Sequence, residues 1–186
     1  MKYEVEQKFY IDNLDVVERS IRKLGANIQD IVLQSDIYLS HPCRDFGITD
    51  EALRLRDDGE RHFITYKGPR IDPVTKTRRE IELMVPGDGL NWEKLLELLA
   101  VLGFATVIEV RKKRRKAEIL WQNTNVEVVL DDVEHLGLFI ELEINSIEAN
   151  VDLAKSQIAS LAEHIGLRRS ERKSYCEMRL GQINAT

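Results

Sequence analysis

An α+β fold of antiparallel strands with helices packed on one side follows from three features of this sequence. Charge recurs at alternate positions along nearly every β-like segment, as at Lys112, Arg114, Lys116 and Glu118 or at Glu141 and Glu143. Successive side chains on a strand point to opposite faces, so this spacing makes one face charged and leaves the other apolar. Three segments with helical apolar spacing end at Gly25, Gly103 and Gly166, and can cover those apolar faces. A chain of 186 residues is long enough for one domain with its own core.

Taken in order, residues 2–10 alternate as a strand. A helix over 13–24 follows, with Val16, Val17, Ile21 and Leu24 on one face. A strand over 27–39 leads to a polar loop at 41–45. Strands over 51–57 and 60–68 flank Asp58-Gly59, a two-residue hairpin signal. A strand over 75–85 stops at Pro86-Gly87. Trp92, Leu95, Leu96, Leu99 and Leu102 then mark a second helix. Strands over 105–121, 125–132 and 138–146 are separated by turns at 122–124 and 135–137. A third helix covers 150–165, and residues 170–180 read equally as a short helix or strand. The domain spans 1–180, and 181–186 is a tail.

Composition excludes several classes of function. The apolar share is 43%, the charged share 32% and the net charge −5, which argues against general nucleic-acid or membrane-surface binding. Cys43 and Cys176 form neither a disulfide framework nor a zinc motif, and a reducing cytosol suits them. No apolar stretch is long enough to span a membrane, and a cytoplasmic location is expected.

The charged face carries the chemistry. Glu4, Glu6 and Lys8 share one side of the first strand, with the two carboxylates roughly 7 Å apart by strand geometry. Arg54 and Arg56 share a face, as do Lys76, Arg78, Glu80 and Glu82, and Glu127 and Asp131. An open sheet would turn this face to water, and a closed barrel would turn it inward. Alternation does not choose between them. The long strands and roughly eight-strand count lean toward closure, and a charged interior then requires water, ions or a charged ligand. Arg19, Arg22 and Lys23 read as a solvated helix face. Arg111, Lys113 and Arg115 face outward, toward helix acids such as Glu93 or Glu97 or toward a partner. The four histidines have no carboxylate near them in sequence, and none is assigned as a general base. Trp92 and Trp121 read as core.

Several stretches, in order, resemble the CYTH superfamily of triphosphate tunnel metalloenzymes, and within it the class IV adenylate cyclase branch. They are Glu4-Val5-Glu6-Gln7-Lys8, Asp36-Ile37-Tyr38, residues 41–56, Thr65-Tyr66-Lys67-Gly68-Pro69, Lys76-Thr77-Arg78-Arg79-Glu80, Lys112-Lys113-Arg114, and residues 130–143. The stretch from Arg44 to Arg56 is what resembles the cyclase branch rather than the thiamine-triphosphatase branch. The resemblance implies an antiparallel eight-stranded β-barrel, a triphosphate tunnel, with the helices outside. It implies that Glu4, Glu6, Asp131, Glu141 and Glu143 bind Mg²⁺ or Mn²⁺, ions that suit hard oxygen ligands. It assigns the phosphate oxygens to Lys8, Arg54, Arg56, Lys67, Lys76, Arg78, Lys112, Arg114 and Lys173. Lys8, Arg56, Lys67, Lys112 and Arg114 are its catalytic group, and Glu80 and Glu82 are further lumen acids. Lys173 and Tyr175 resemble an element that closes the tunnel mouth. The implied reaction is ATP to cyclic AMP and pyrophosphate. Hydrolysis of inorganic triphosphate or another triphosphate such as thiamine triphosphate is the alternative, and a non-catalytic polyphosphate- or nucleotide-binding module is the third. The partner is a triphosphate-containing small molecule, with a homodimer left open.

Overall fold

The computed structural model describes residues 2–70, 78–86, 89–147 and 150–185. Along the chain lie β1 (Lys2–Tyr10), α1 (Leu14–Lys23), β2 (Val32–Ser40), α2 (Phe46–Thr49), β3 (Ala52–Asp57), β4 (His62–Arg70) and β5 (Arg78–Val85). They are followed by α3 (Gly89–Val101), β6 (Ala105–Trp121), β7 (Thr124–Val133), β8 (Gly137–Ile147), α4 (Val151–His164), β9 (Ser170–Glu171) and α5 (Tyr175–Ile183). The strands pair in the order β5-β4-β3-β2-β6-β7-β8-β1, and β5 returns to β1 through Glu4 opposite Arg78. Every pairing is antiparallel, so the sheet is a closed eight-stranded barrel and the open-sheet alternative is excluded. β9 adds to β1 opposite Lys8 and Phe9, beyond the point where β1 meets β5.

Most of the apolar core lies outside the barrel wall, while a smaller cluster of Val110, Val133 and Phe139 is buried on the inner side against Tyr175. Val5 and Phe9 of β1, Ala117 and Ile119 of β6, Val126, Val128 and Leu130 of β7, and Ile140, Leu142 and Ile144 of β8 pack together under the helices. Ile21 of α1 and Ala154, Ile158 and Leu161 of α4 complete this layer. β6 shows the inversion within one strand. Val110, Lys112 and Arg114 are buried on the inner side, and farther along Ala117 and Ile119 are buried on the outer side, where helices cover them. Arg115, on the outer face, pairs with Glu18 of α1 rather than with an acid of α3, and Arg111 pairs with Glu109 at 2.9 Å.

Local differences from the sequence reading have local causes. The turn after β3 spans 58–61 instead of two residues, because the Asp58 carboxylate accepts from the amides of Glu60 and Arg61 and builds a wider loop. Between β6 and β7 the hairpin loop is only Gln122 and Asn123, both left-handed at φ 48° and 63°, the pattern of a type I′ turn. β2 begins at Val32 instead of 27. Residues 170–183 contain both a short strand and a helix, and α5 starts at a capping box made by Ser174 and Glu177. Among the described residues, no helix is long and apolar enough to cross a membrane.

The fully buried Leu142 sits at the centre of the outer core. Leu142→Ala is expected to destabilise the protein by about 2–5 kcal/mol in urea unfolding. A loss below about 1 kcal/mol would contradict the packing described here.

Candidate active site

The barrel encloses a cavity of about 1060 Å³ whose walls carry opposite charge. One wall, from β2, β3 and β6, is organised by Asp36, which is 1% exposed. Register places Asp36 directly opposite Arg56 on β3, and on its other side next to the β6 row that carries Lys112. Arg56 donates to both Asp36 oxygens, at 2.6 Å from Nε and 2.9 Å from Nη2, and the Lys112 amine donates to Oδ2. Arg54 lies 3.9 Å from the same carboxylate and donates to Thr65 Oγ1 at 3.2 Å. Burial alone would raise the Asp36 carboxyl, but Lys112, Arg56 and Arg54 outweigh it and hold it well below the usual carboxylate range. Burial pushes the Lys112 amine down to about 7, against the pull of Asp36 and with the help of Arg56 and Arg114. An incoming phosphate would hold that amine protonated.

The facing wall, from β1, β7 and β8, is acidic. Antiparallel pairing sets Glu6 opposite Glu143 and Lys8 opposite Glu141. Burial, followed by the charges of Glu4, Glu141 and Glu6, pushes the Glu143 carboxyl well above its ordinary range, and Arg114 offsets this only in part. Such crowding of hard oxygen donors fits a divalent cation, which would relieve the repulsion. Among the described residues, no three carboxylates yet converge as a finished coordination shell. Glu141 accepts from Arg114 at 2.8 Å, and both Asp131 oxygens are taken by Arg114 and the Tyr175 hydroxyl. Glu4, Glu6, Glu141 and Glu143 line the cavity side by side on β1 and β8 and are the acids that would hold an ion. Between the two walls, Lys67 bridges Glu80 at 2.6 Å and Glu4 at 3.2 Å.

The C-terminal segment closes one end. The Lys8 amine donates to the backbone carbonyl of Lys173 at 2.6 Å and sits 3.9 Å from the centre of the Tyr175 ring. Tyr175 donates to Asp131 at 2.9 Å, and burial together with Asp131 and Glu141 keeps its phenol protonated. Arg70, at the end of β4, ties this segment to the mouth of the barrel. Its guanidinium grips Asp50 and reaches Glu177 of α5 at 3.0 Å.

Of the residues assigned from the resemblance, Glu4, Glu6, Lys8, Arg54, Arg56, Lys67, Arg78, Lys112, Arg114, Glu141 and Glu143 all line this one cavity, as do Glu80 and Glu82. Asp131 lies behind the lining, fully buried beneath Arg114. Lys76 lies outside the described residues. The Lys173 side chain is exposed, and only its carbonyl turns to the site. Sequence reasoning assigned no role to Asp36, Thr65, Asp50 or Arg70. For Asp36 a signal existed, since alternation in the 34–38 segment places it on the charged face.

Asp36→Asn is expected to cost about 3–5 kcal/mol at neutral pH, because buried cations lose their anion. A depressed carboxyl stabilises the fold above the unfolded value of about 4 and loses that contribution as pH falls through the folded value. The stability gap between wild type and variant should therefore narrow below about pH 4 in unfolding experiments. A gap that stays constant down to about pH 2 would contradict the ion-pair account.

The CYTH domain profile matches residues 2–175. A Methanocaldococcus jannaschii protein that bears the provisional name of an adenylate cyclase is 38% identical over 179 residues, covering 95% of this chain and 98% of its own. A solved Pyrococcus horikoshii protein is 36% identical, with a TM-score of 0.83 over 96% of this chain and 99% of that one. The fold also recurs at 15% identity and a TM-score of 0.63 in a Hippeastrum protein with a dominant triphosphatase activity, over 99% of this chain and 96% of that one. Matched from its first strand to the residue that plugs its barrel, the chain belongs to the CYTH domain family.

Proposed function

We propose that this protein is a divalent-metal-dependent enzyme acting on a triphosphate, and that its reaction is the conversion of ATP to cyclic AMP and pyrophosphate. The observation that carries the substrate class is the pair of opposed walls: Arg54, Arg56, Lys112 and Arg114 face a cluster of carboxylates across one enclosed space. A polyanion with bound cations is the ligand that satisfies both at once. Arginine forks and lysine amines grip phosphate oxygens through charge-assisted hydrogen bonds, with two-point geometry from arginine. Cyclisation is favoured by the resemblance of residues 44–56 to the cyclase branch and by the provisional name of the 38% identical relative.

In this reading Arg54, Arg56, Lys67, Arg78, Lys112 and Arg114 hold the triphosphate extended, so that the ribose 3′-hydroxyl can meet the α-phosphorus in line. Glu4, Glu6, Glu141 and Glu143, with Asp131 behind them, would hold Mg²⁺ or Mn²⁺, which supplies neutralisation of charge on the phosphoryl oxygens. The basic wall stabilises the departing pyrophosphate, whose charge grows as the bond breaks. Lys8, fixed by the Lys173 carbonyl and the Tyr175 ring, brings one further positive charge to the closed end. Hydrolysis of inorganic triphosphate or thiamine triphosphate is the second reading, because the same cage can direct water at the terminal phosphorus and fold alone does not fix the reaction.

Incubation with ATP, inorganic triphosphate and thiamine triphosphate, each with Mg²⁺ and with Mn²⁺, separates the readings. Cyclic AMP is the expected product; orthophosphate would replace the cyclase with a hydrolase, and binding without product would overturn both. Glu6→Ala and Glu143→Ala should each lower metal-dependent turnover roughly a hundredfold or more while the protein stays folded by circular dichroism. Full activity in either variant would remove that residue from the metal assignment.

A further inference from the structure

The cavity is larger than its charged half requires. Its volume of about 1060 Å³ matches the upper end of sites that enclose a whole drug-sized molecule. The basic and acidic walls lie in the barrel interior. At the rim, where β2 runs into residues 41–51 and α5 packs nearby, charged groups such as Arg44 and Glu51 are joined by an apolar lining of Leu39, Pro42, Phe46, Leu53, Val107 and Leu180. A phosphate chain gains nothing from such a surface, whereas an apolar group attached to the phosphates does.

Two side chains at this rim already form a stack. The Arg44 guanidinium lies over the Phe46 ring at 5.5 Å, and the His41 ring is 5.5 Å from Phe46 and 5.2 Å from Phe104. The segment that carries them is held from several sides. His41 Nδ1 accepts from the amides of Cys43 and Arg44, and Arg44 pairs with Glu51 at 3.1 Å. Glu51 also accepts from Tyr66 of β4, and Arg70 clamps Asp50 to the barrel and to α5. A surface ordered before binding loses little entropy when a ligand arrives. Aromatic and guanidinium faces are the surfaces on which planar heterocycles stack, whatever their hydrogen-bonding edge.

We propose that residues 41–46 form a subsite for an aromatic heterocycle carried by the triphosphate, with Phe46 and Arg44 as its stacking surface. This assignment rests on the triphosphate reading above and adds the residues that would hold the organic part of the ligand. The charged barrel and the apolar rim then divide the ligand: phosphates inside, base at the mouth. Inorganic triphosphate would fill only the first part.

Titration calorimetry on the full chain with Mg²⁺, using α,β-methylene ATP and inorganic triphosphate as the two probes, tests the subsite through the ratio of their affinities. Phe46→Ala should weaken the nucleotide analogue roughly tenfold relative to triphosphate, and Phe46→Tyr should restore the ratio. Arg44→Ala should shift it in the same direction; this exposed side chain carries the test if Phe46→Ala does not fold. A ratio unchanged in these variants, with wild type binding both probes, overturns the subsite and leaves the triphosphate reading standing. Equal weakening of both probes also overturns it. Wild-type protein that binds neither probe overturns the triphosphate reading, and the subsite with it.

Discussion

Compensation of charge across the barrel interior is the constraint on which the rest of this structure depends. Buried ions are costly unless each finds a partner, because the loss of hydration can exceed the Coulomb attraction. Here Asp36 gathers Arg56 and Lys112 with Arg54 close by, Asp131 holds Arg114, and Glu80 and Glu4 share Lys67. These pairs let a barrel carry its charge inward and still close. They do not cancel evenly: an acidic cluster persists around Glu143, and the basic groups gather on the opposite wall. That unevenness leaves a cavity with one acidic and one basic side, the feature on which the proposed function rests.

The price of a polar interior is that most hydrophobic stabilisation must be found elsewhere, and the larger apolar cluster lies on the outside of the wall. Val5, Val128, Ile140 and Leu142 point away from the cavity toward α1 and α4, so these strands pack the core with one face and line the cavity with the other. The two roles are mechanically linked through the backbone. Because side chains alternate with a period of two, a one-residue slip in β6 would send Lys112 and Arg114 outward and bring Arg111 and Lys113 into the cavity. The outer core therefore holds the register on which the inner site relies.

Closure of one end of the barrel joins parts of the chain that are remote in sequence. Arg70 meets both Asp50, which precedes β3, and Glu177, in the last helix. Lys8 on the first strand meets the carbonyl of Lys173. The first strand and the C-terminal segment are thereby tied together, and the barrel wall, residues 41–51 and α5 form one connected surface around the cavity.

The sequence by itself determined which residues share the charged face of each strand. Strand periodicity is a local property, so the grouping of Glu4, Glu6 and Lys8, of Arg54 and Arg56, of Lys112 and Arg114, and of Glu141 and Glu143 was legible from spacing alone, before any pairing was known. The helices were legible for the same reason, from their apolar spacing and terminal glycines. Closure was decided only by tertiary structure: an open sheet and a barrel have the same alternation, and the pairing of Glu4 with Arg78 separates them. The role of Asp36 likewise depended on cations from two other strands, since a lone aspartate carries no sign of the three basic groups that surround it. The apolar rim at Phe46 and Leu180 could not be read at all, because it is assembled from segments more than a hundred residues apart that approach only when the barrel and its last helix are in place.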